Sequence, residues 1–178
     1  MTYLDELVKS MKFLSKNNKT IFLGQSVAYS GSIMSKSLES IPISKRIELP
    51  LIEDAQMGMS IGLALEGFIP VSIYPRIDFL IIAANQLINH LDKIEEMSCG
   101  QYSPKVVIRT ALGSTRPLYP GIQHCSDYTN GLKAMLKNVN VVSLTKSDQI
   151  LPAYMKALDT ENHKSTILIE KADLYSTE

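Results

Sequence analysis

The sequence has no tryptophan, two cysteines, no excess charge of either sign and no long apolar run. Each of these absences excludes something. Cys99 and Cys125 cannot supply a disulfide scaffold, and free thiols in a reducing cytosol are the simpler reading. Eighteen Lys and Arg residues balance eighteen Asp and Glu residues. A net charge of zero gives nucleic acid or an anionic membrane surface no field to act on, so neither partner is expected. It also leaves little repulsion between copies, which keeps association open. No apolar run approaches the roughly 18 residues of a membrane span. The opening segment, 1–19, is amphipathic with Asp5 and Glu6 near its start, unlike the basic start and apolar run of a signal peptide. No Rossmann or Walker glycine pattern follows the first apolar strand, and no nucleophile-elbow serine occurs. No His, Cys and Asp set has metal-ligand spacing, so no metal site is assigned to the chain.

What remains is a chain of 178 residues with 45% hydrophobic content, long enough for one domain with a proper core. These features predict a soluble, cytoplasmic, single-domain protein. Leu4, Leu7, Val8, Met11 and Leu14 share one face of a first helix. Short apolar strands are expected at 20–24, 46–49, 69–73, 105–110, 139–144 and 166–170. Helices are expected at 53–66, 78–97 and 128–136, and a further one to about 159 opens on Ser147 as N-cap; 33–40 reads as a short helix. Strands that are apolar throughout and separated by helices indicate a mainly parallel sheet covered on both faces. The expected fold class is therefore α/β, a three-layer α/β/α sandwich. Ligands of such sheets sit beyond the carboxyl ends of the strands, which points to 24–32, 50–54, 74–79 and 110–127.

Glu53 and Asp54 stand at the head of a helix just after a strand. Either acid can serve merely to complement the helix dipole. The functional alternative is a carboxyl whose pKa is raised by its apolar neighbours Leu51, Ile52 and Met57, making it a proton donor. Tyr74, Arg76, Asp78 and Phe79 line the next strand end, where an aromatic is more often core than ligand platform. His124 follows the longest irregular loop, 111–122. A Cys125–His124 nucleophile is disfavoured, because adjacent residues seldom aim both side chains at one point. His90 and His163 read as structural.

Four segments occur in a characteristic order. Glu53-Asp54-Ala55, Gly58, Gly62, Ala64, Glu66-Gly67 and Pro70-Val71 form the first; Asp78-Phe79-Leu80 with Gln86, Asn89 and His90 forms the second. Met97-Ser98-Cys99-Gly100-Gln101 leading into Val107-Ile108-Arg109-Thr110 is the third, and Gln123-His124 the fourth. Together they resemble the pyrimidine-binding domain of transketolase-like thiamine-diphosphate enzymes, and most of all the β subunit of the decarboxylating component of 2-oxo acid dehydrogenase complexes, of pyruvate or branched-chain type. The resemblance implies a parallel-sheet fold. It implies that Glu53 hydrogen-bonds a pyrimidine nitrogen and activates the cofactor, that Phe79 packs on the pyrimidine ring, and that His124 handles protons or charge near the substrate. Arg76 and Gln123 are the candidate substrate-binding residues; Arg109 and Arg116 also carry charge that an anionic substrate would use.

The departures from the pattern also carry expectations. Relatives have a Gly-rich run before Gln-His, where this chain has 112–120, and usually Ser in place of Cys125. The Gly-Asp-Gly motif and later Asn that bind diphosphate and metal are missing. One pyrimidine-binding domain over 1–178 is expected, with no diphosphate-binding domain and no C-terminal domain. The resemblance therefore implies a subunit that shares thiamine diphosphate with a separate diphosphate-binding, α-like chain, whose site supplies magnesium. The assembly would be a hetero-oligomer or homodimer acting on a small-molecule substrate, as an oxidoreductase that decarboxylates a 2-oxo acid or a transferase that moves a ketol or acyl unit. The alternative is a non-catalytic paralogue with a structural or regulatory role. No monovalent-cation site is assigned to 159–163.

Overall fold

Thr2 starts the first helix by accepting from the Asp5 N–H while the Asp5 carboxylate accepts from the Thr2 N–H, a closed capping box. The helix, α1 (Tyr3–Ser15), buries Leu7, Met11 and Leu14 completely. At roughly 2 kcal/mol for each fully buried side chain of this size, the face is anchored by its apolar period. In the computed structural model, which describes residues 1–116, 119–159, 161 and 163–176, this helix forms one outer layer with α6 (Ile150–Leu158). Pro117 and Leu118 of the irregular loop, and Thr160 and Asn162 of the turn weighed for a cation, lie outside the described residues.

Between the layers runs a six-stranded, all-parallel sheet. Its strands are β1 (Thr20–Gly24), β2 (Arg46–Glu48), β3 (Ile69–Tyr74), β4 (Val107–Leu112), β5 (Asn140–Ser143) and β6 (Thr166–Lys171), in the order β2-β1-β3-β4-β6-β5. Phe22, Val71, Ile73, Val107 and Leu168 pack toward α1 and α6. On the opposite face Tyr74, Ile108, Ile167 and Ile169 meet α2 (Glu53–Leu65), α3 (Ile77–Leu80) and α5 (Thr129–Met135). The three-layer α/β/α reading is correct. No helix among the described residues is long and apolar enough to cross a membrane.

Three local expectations need correction. The helix expected over 78–97 is broken into α3, a 3-10 turn (Ile81–Ala83), a π turn (Gln86–Leu91) and α4 (Ile94–Met97). The wide π turn brings Asp92 inward, where its carboxylate accepts the backbone N–H groups of Lys137, Asn138 and Val139 at 2.7–3.1 Å. That long-range capture is invisible to helical periodicity. Ser147 makes no side-chain cap; the Gln149 amide oxygen instead accepts from the N–H groups of Thr145 and Lys146, and a 3-10 turn (Ser147–Gln149) precedes α6. The short helix expected at 33–40 is the 3-10 turn Ser35–Leu38.

A charged cluster lies inside the α1/α6 layer. Arg109 on β4 and Glu170 on β6 are fully buried and paired, Nε to Oε1 at 2.6 Å and Nη2 to Oε2 at 3.0 Å. Arg109 Nη1 donates to Ser37 Oγ at 2.8 Å, and the hydroxyls of Tyr154 and Tyr175 donate to Glu170. Arg109 is thereby removed from any role toward a substrate. Burial opposes the guanidinium charge, but the Glu170 carboxylate with its hydrogen bond and the Tyr154 and Tyr175 hydroxyls together outweigh it and hold the pKa well above the usual value. Burial, then the Glu170 charge, pushes both tyrosine hydroxyls well above theirs.

Two tests follow from these contacts. Gly24 ends β1 at φ +144°, and a Cβ there would stand 2.3 Å from the Ile73 carbonyl oxygen. Gly24→Ala is expected to lower the urea-unfolding free energy by at least about 1 kcal/mol; an unchanged midpoint would contradict that geometry. In the tyrosine cluster, unfolded tyrosines ionise near pH 10 while Tyr154 and Tyr175 stay protonated in the fold. Their contribution is complete below about pH 10 and is lost as pH rises above it. Tyr154→Phe should cost about 1–3 kcal/mol at neutral pH and flatten the alkaline decline, as read from unfolding curves between neutral pH and about pH 11.

Candidate active-site edge

The chain leaves β1 toward β2 on one side and leaves β3 toward β4 on the other, although β1 and β3 are neighbours. Connections that diverge from adjacent parallel strands open a crevice beyond their carboxyl ends. A cavity of about 290 Å³ occupies that position. Its lining includes Gln25, Ser26 and Ser32 from the loop after β1, Arg76 and Phe79 from the segment after β3, and Ser114 after β4.

The β1 side is shaped by Glu48, which the sequence reading did not single out. Its carboxylate accepts from the N–H groups of Ser26, Val27 and Ala28 at 2.6, 2.8 and 2.7 Å. This carboxylate-filled nest holds Ser26 at φ +56°, a left-handed conformation uncommon for serine. Arg46, on the same short strand, donates from Nη1 to the Val27 carbonyl at 3.2 Å. The available signal was an acid closing a strand that is followed within a few residues by proline, but only the fold brings 26–28 to it.

On the β3 side the sequence-predicted residues fall into two groups. Phe79 and His124 meet edge to face, with ring centroids 5.6 Å apart. Arg76 Nη1 donates to the carbonyl of Gly113 and, at 3.0 Å, to that of His124, so this arginine ties both ends of the irregular loop to the end of β3. Asp78 adds a weaker tie, accepting from the Ser126 N–H at 3.4 Å. His124 Nδ1 is buried and has no partner among the described residues. Gln123 is exposed, and so is Arg116.

Glu53 belongs to the second group. It opens α2, and its carbonyl accepts from the Tyr74 hydroxyl at 3.4 Å. Burial pushes the Tyr74 hydroxyl well above its usual pKa; the hydrogen bond from Ser72 opposes this, and the charges of Glu53 and Asp54 add to it. Tyr74 is therefore a neutral donor at any physiological pH. Gln56, one turn along α2, is buried and donates to Ser72 Oγ and the Ile73 carbonyl, both at 3.0 Å. The head of α2 is thus fixed on the end of β3. The apolar setting expected around Glu53 is only partly present: Met57 is buried, but Leu51 is 68% exposed and Ile52 is 40% exposed. With Met59 they leave the head of α2 apolar and uncovered in the single chain, while Leu65 and Phe68 are exposed at the opposite end of the helix.

A planar, partly apolar ring that needs an acid on one edge and an aromatic on its face is compatible with these residues. The partnerless His124 Nδ1 and the exposed Leu51 and Ile52 are features that a bound group or an adjoining surface would complete.

No family model matches the chain. Over 117 residues it is 28% identical to 2-oxoisovalerate dehydrogenase subunit beta of Bacillus subtilis, a match covering 64% of this chain and 36% of that protein. Over 113 residues it is 34% identical to pyruvate dehydrogenase E1 component subunit beta of Gracilaria tenuistipitata var. liui, covering 61% and 34%. Among solved structures, a split-gene transketolase described as an inactive beta4 tetramer matches with a TM-score of 0.72 and 17% identity, over 97% of this chain and 52% of that one. Transketolase from Campylobacter jejuni subsp. jejuni matches equally, over 97% of this chain and 26% of its own.

The chain resembles the β subunits of 2-oxo acid dehydrogenases in sequence and transketolase in fold. The matched segment spans about a third of the length of these β subunits. Against that β-subunit-like background, the tie from Arg76 to Gly113 and His124 is a local arrangement with a measurable consequence. Arg76→Met should raise amide hydrogen exchange of Gly113 and Cys125 by about tenfold or more, while the amides of β6 keep their protection. Unchanged exchange at both would mean that the loop holds itself.

Proposed function

We propose that the chain is the pyrimidine-side subunit of a two-chain, thiamine-diphosphate-dependent enzyme that decarboxylates a 2-oxo acid or transfers a ketol or acyl unit. The observation that carries the reading is that the end of β3 carries both the tie from the Tyr74 hydroxyl to the Glu53 carbonyl at the head of α2 and, a few residues on, the Phe79–His124 ring pair. The similarity to dehydrogenase β subunits supports it. When bound, thiamine diphosphate supplies the carbon nucleophile that attacks a substrate carbonyl.

The protein's own residues then have separate tasks. Glu53 holds a proton at a pyrimidine nitrogen, and its carboxyl gains an apolar setting once a partner covers Leu51 and Ile52. Phe79 offers its face to the pyrimidine ring. His124, aligned by Phe79 and by the Arg76 tie on its carbonyl, carries a proton or charge beside the reacting substrate. The diphosphate and magnesium go to a separate α-like chain, and the uncovered apolar residues of α2 make the surface on which such a chain, or a second copy, is seated. The compartment in this reading is the cytoplasm.

A second reading has one observation in its favour. The split-gene transketolase with this fold is described as an inactive beta4 tetramer, which supports a chain that assembles with itself and is inactive alone. A non-catalytic, structural or regulatory paralogue would be the extreme of that behaviour.

The deciding experiment is isothermal titration of thiamine diphosphate with magnesium into the isolated chain and into the chain co-purified with a diphosphate-binding partner. Binding is expected for the pair and not for the single chain; tight binding by the single chain would overturn the shared-site reading. Glu53→Gln in the pair should reduce turnover by at least about a hundredfold with assembly intact, in line with the loss of a general acid. Turnover near that of the unmodified pair would reduce Glu53 to a helix-end acid.

A further inference from the structure

The cavity at the β1/β3 crevice contains a cation with nothing to neutralise it. Arg76 is half-buried and lines the cavity, and no carboxylate among the described residues pairs with it. Its Nη1 is engaged by two carbonyls, whereas Nε and Nη2 make no hydrogen bond to the described residues. Those two nitrogens form one edge of the planar guanidinium, the edge that receives a carboxylate through two parallel hydrogen bonds.

A second, independent observation comes from the wall of the same cavity. Ser32 lines the cavity, and its Oγ is buried without a partner among the described residues. A buried hydroxyl without a partner is uncommon in a folded protein and is satisfied at a ligand site by the ligand. Ser26, Ser114 and Gln25 add polar groups to the wall, and no acidic residue among the described residues lies in it. Phe79 and Ile33 supply the apolar part.

We propose that this cavity is a carboxylate-binding subsite, in which the free edge of Arg76 takes the charged end of a small, oxygen-bearing compound and Ser32 donates to it. Two arguments set the ligand class. A cavity of about 290 Å³ is at the lower limit of ligand pockets and suits a compound of a few carbons, not a nucleotide. One unpaired positive charge, with no second cation in the lining among the described residues, matches a monoanion better than a phosphate dianion. The proposal rests on the active-site reading above, since it assigns the charged end of the substrate to this edge. It also makes Arg76 serve two purposes with one side chain: Nη1 holds the His124 loop, and the opposite edge holds the ligand.

The test uses the full chain without cofactor or partner, so that its outcome is separate from the fate of the enzyme proposal. Sodium acetate, sodium phosphate and sodium chloride are titrated at equal ionic strength, and backbone amide and arginine Nε–H shifts are followed by NMR. Acetate should give saturable shifts at Ser32, Gly113, Ser114 and the Arg76 Nε–H that chloride does not reproduce. Arg76→Lys, which keeps the charge but loses the planar edge, should weaken acetate binding about tenfold or more. Ser32→Val removes the hydroxyl and narrows the cavity without touching the Arg76 carbonyl contacts, and should weaken acetate binding about tenfold or more. Acetate shifts that match those of chloride, or that survive both substitutions, would overturn the subsite. Phosphate binding as tightly as acetate would overturn the carboxylate assignment. If acetate binds as expected while Glu53→Gln leaves turnover of the pair unaffected, the subsite stands and the proposed cofactor chemistry falls.

Discussion

The buried pair between Arg109 and Glu170 is the constraint on which the sheet's functional edge depends. Taking both charges out of water costs several kcal/mol per ion, so the pair is tolerable only with good geometry and nearly every remaining proton and lone pair satisfied. The structure meets that condition by drawing in Ser37, Tyr154 and Tyr175. In doing so it joins β4, β6, α6, the 3-10 turn Ala172–Ser176 that follows β6 and the long connection after β1 around one point. β4 continues directly into Gly113 and Ser114, and the connection after β1 carries Ser26 and Ser32. Two walls of the cavity are therefore referenced to the same buried charge pair.

Loops at both ends of the sheet are shaped by a repeated physical device, a carboxylate capturing backbone N–H groups. Glu48 takes three amides from the turn after β1, and Asp92 takes three from the turn before β5. In each case the charge replaces water for donors that an irregular chain leaves open. Arg76 does the converse with carbonyls, holding Gly113 and His124. The irregular segments are thus tied down without regular secondary structure, which is what a site assembled from loops requires.

The head of α2 at that edge is only partly covered in the single chain. Glu53 is placed with care through Tyr74 and Gln56, yet its apolar neighbours Leu51 and Ile52 face solvent. The head of α2 thus combines a fixed backbone with apolar side chains left open to solvent.

The strands, α1, α2 and the layer order were legible in the sequence because each depends on local apolar period: uninterrupted runs such as 69–73, or Leu7, Met11 and Leu14 on one helical face. The segments after strands were legible as the ligand edge for the same reason, since a parallel sheet dictates where ligands go. What the sequence could not reveal were contacts between residues far apart along the chain. The π turn at Gln86–Leu91 goes with the capture of amides more than forty residues later by Asp92. Arg109 and Arg76 read alike as charged residues near strand ends, but the inward face of β4 consigns Arg109 to Glu170, while the end of β3 leaves one edge of Arg76 open to the cavity. Residue type and period determine the elements. Which charges are neutralised inside, and which remain for a ligand, is decided only when distant strands lie side by side.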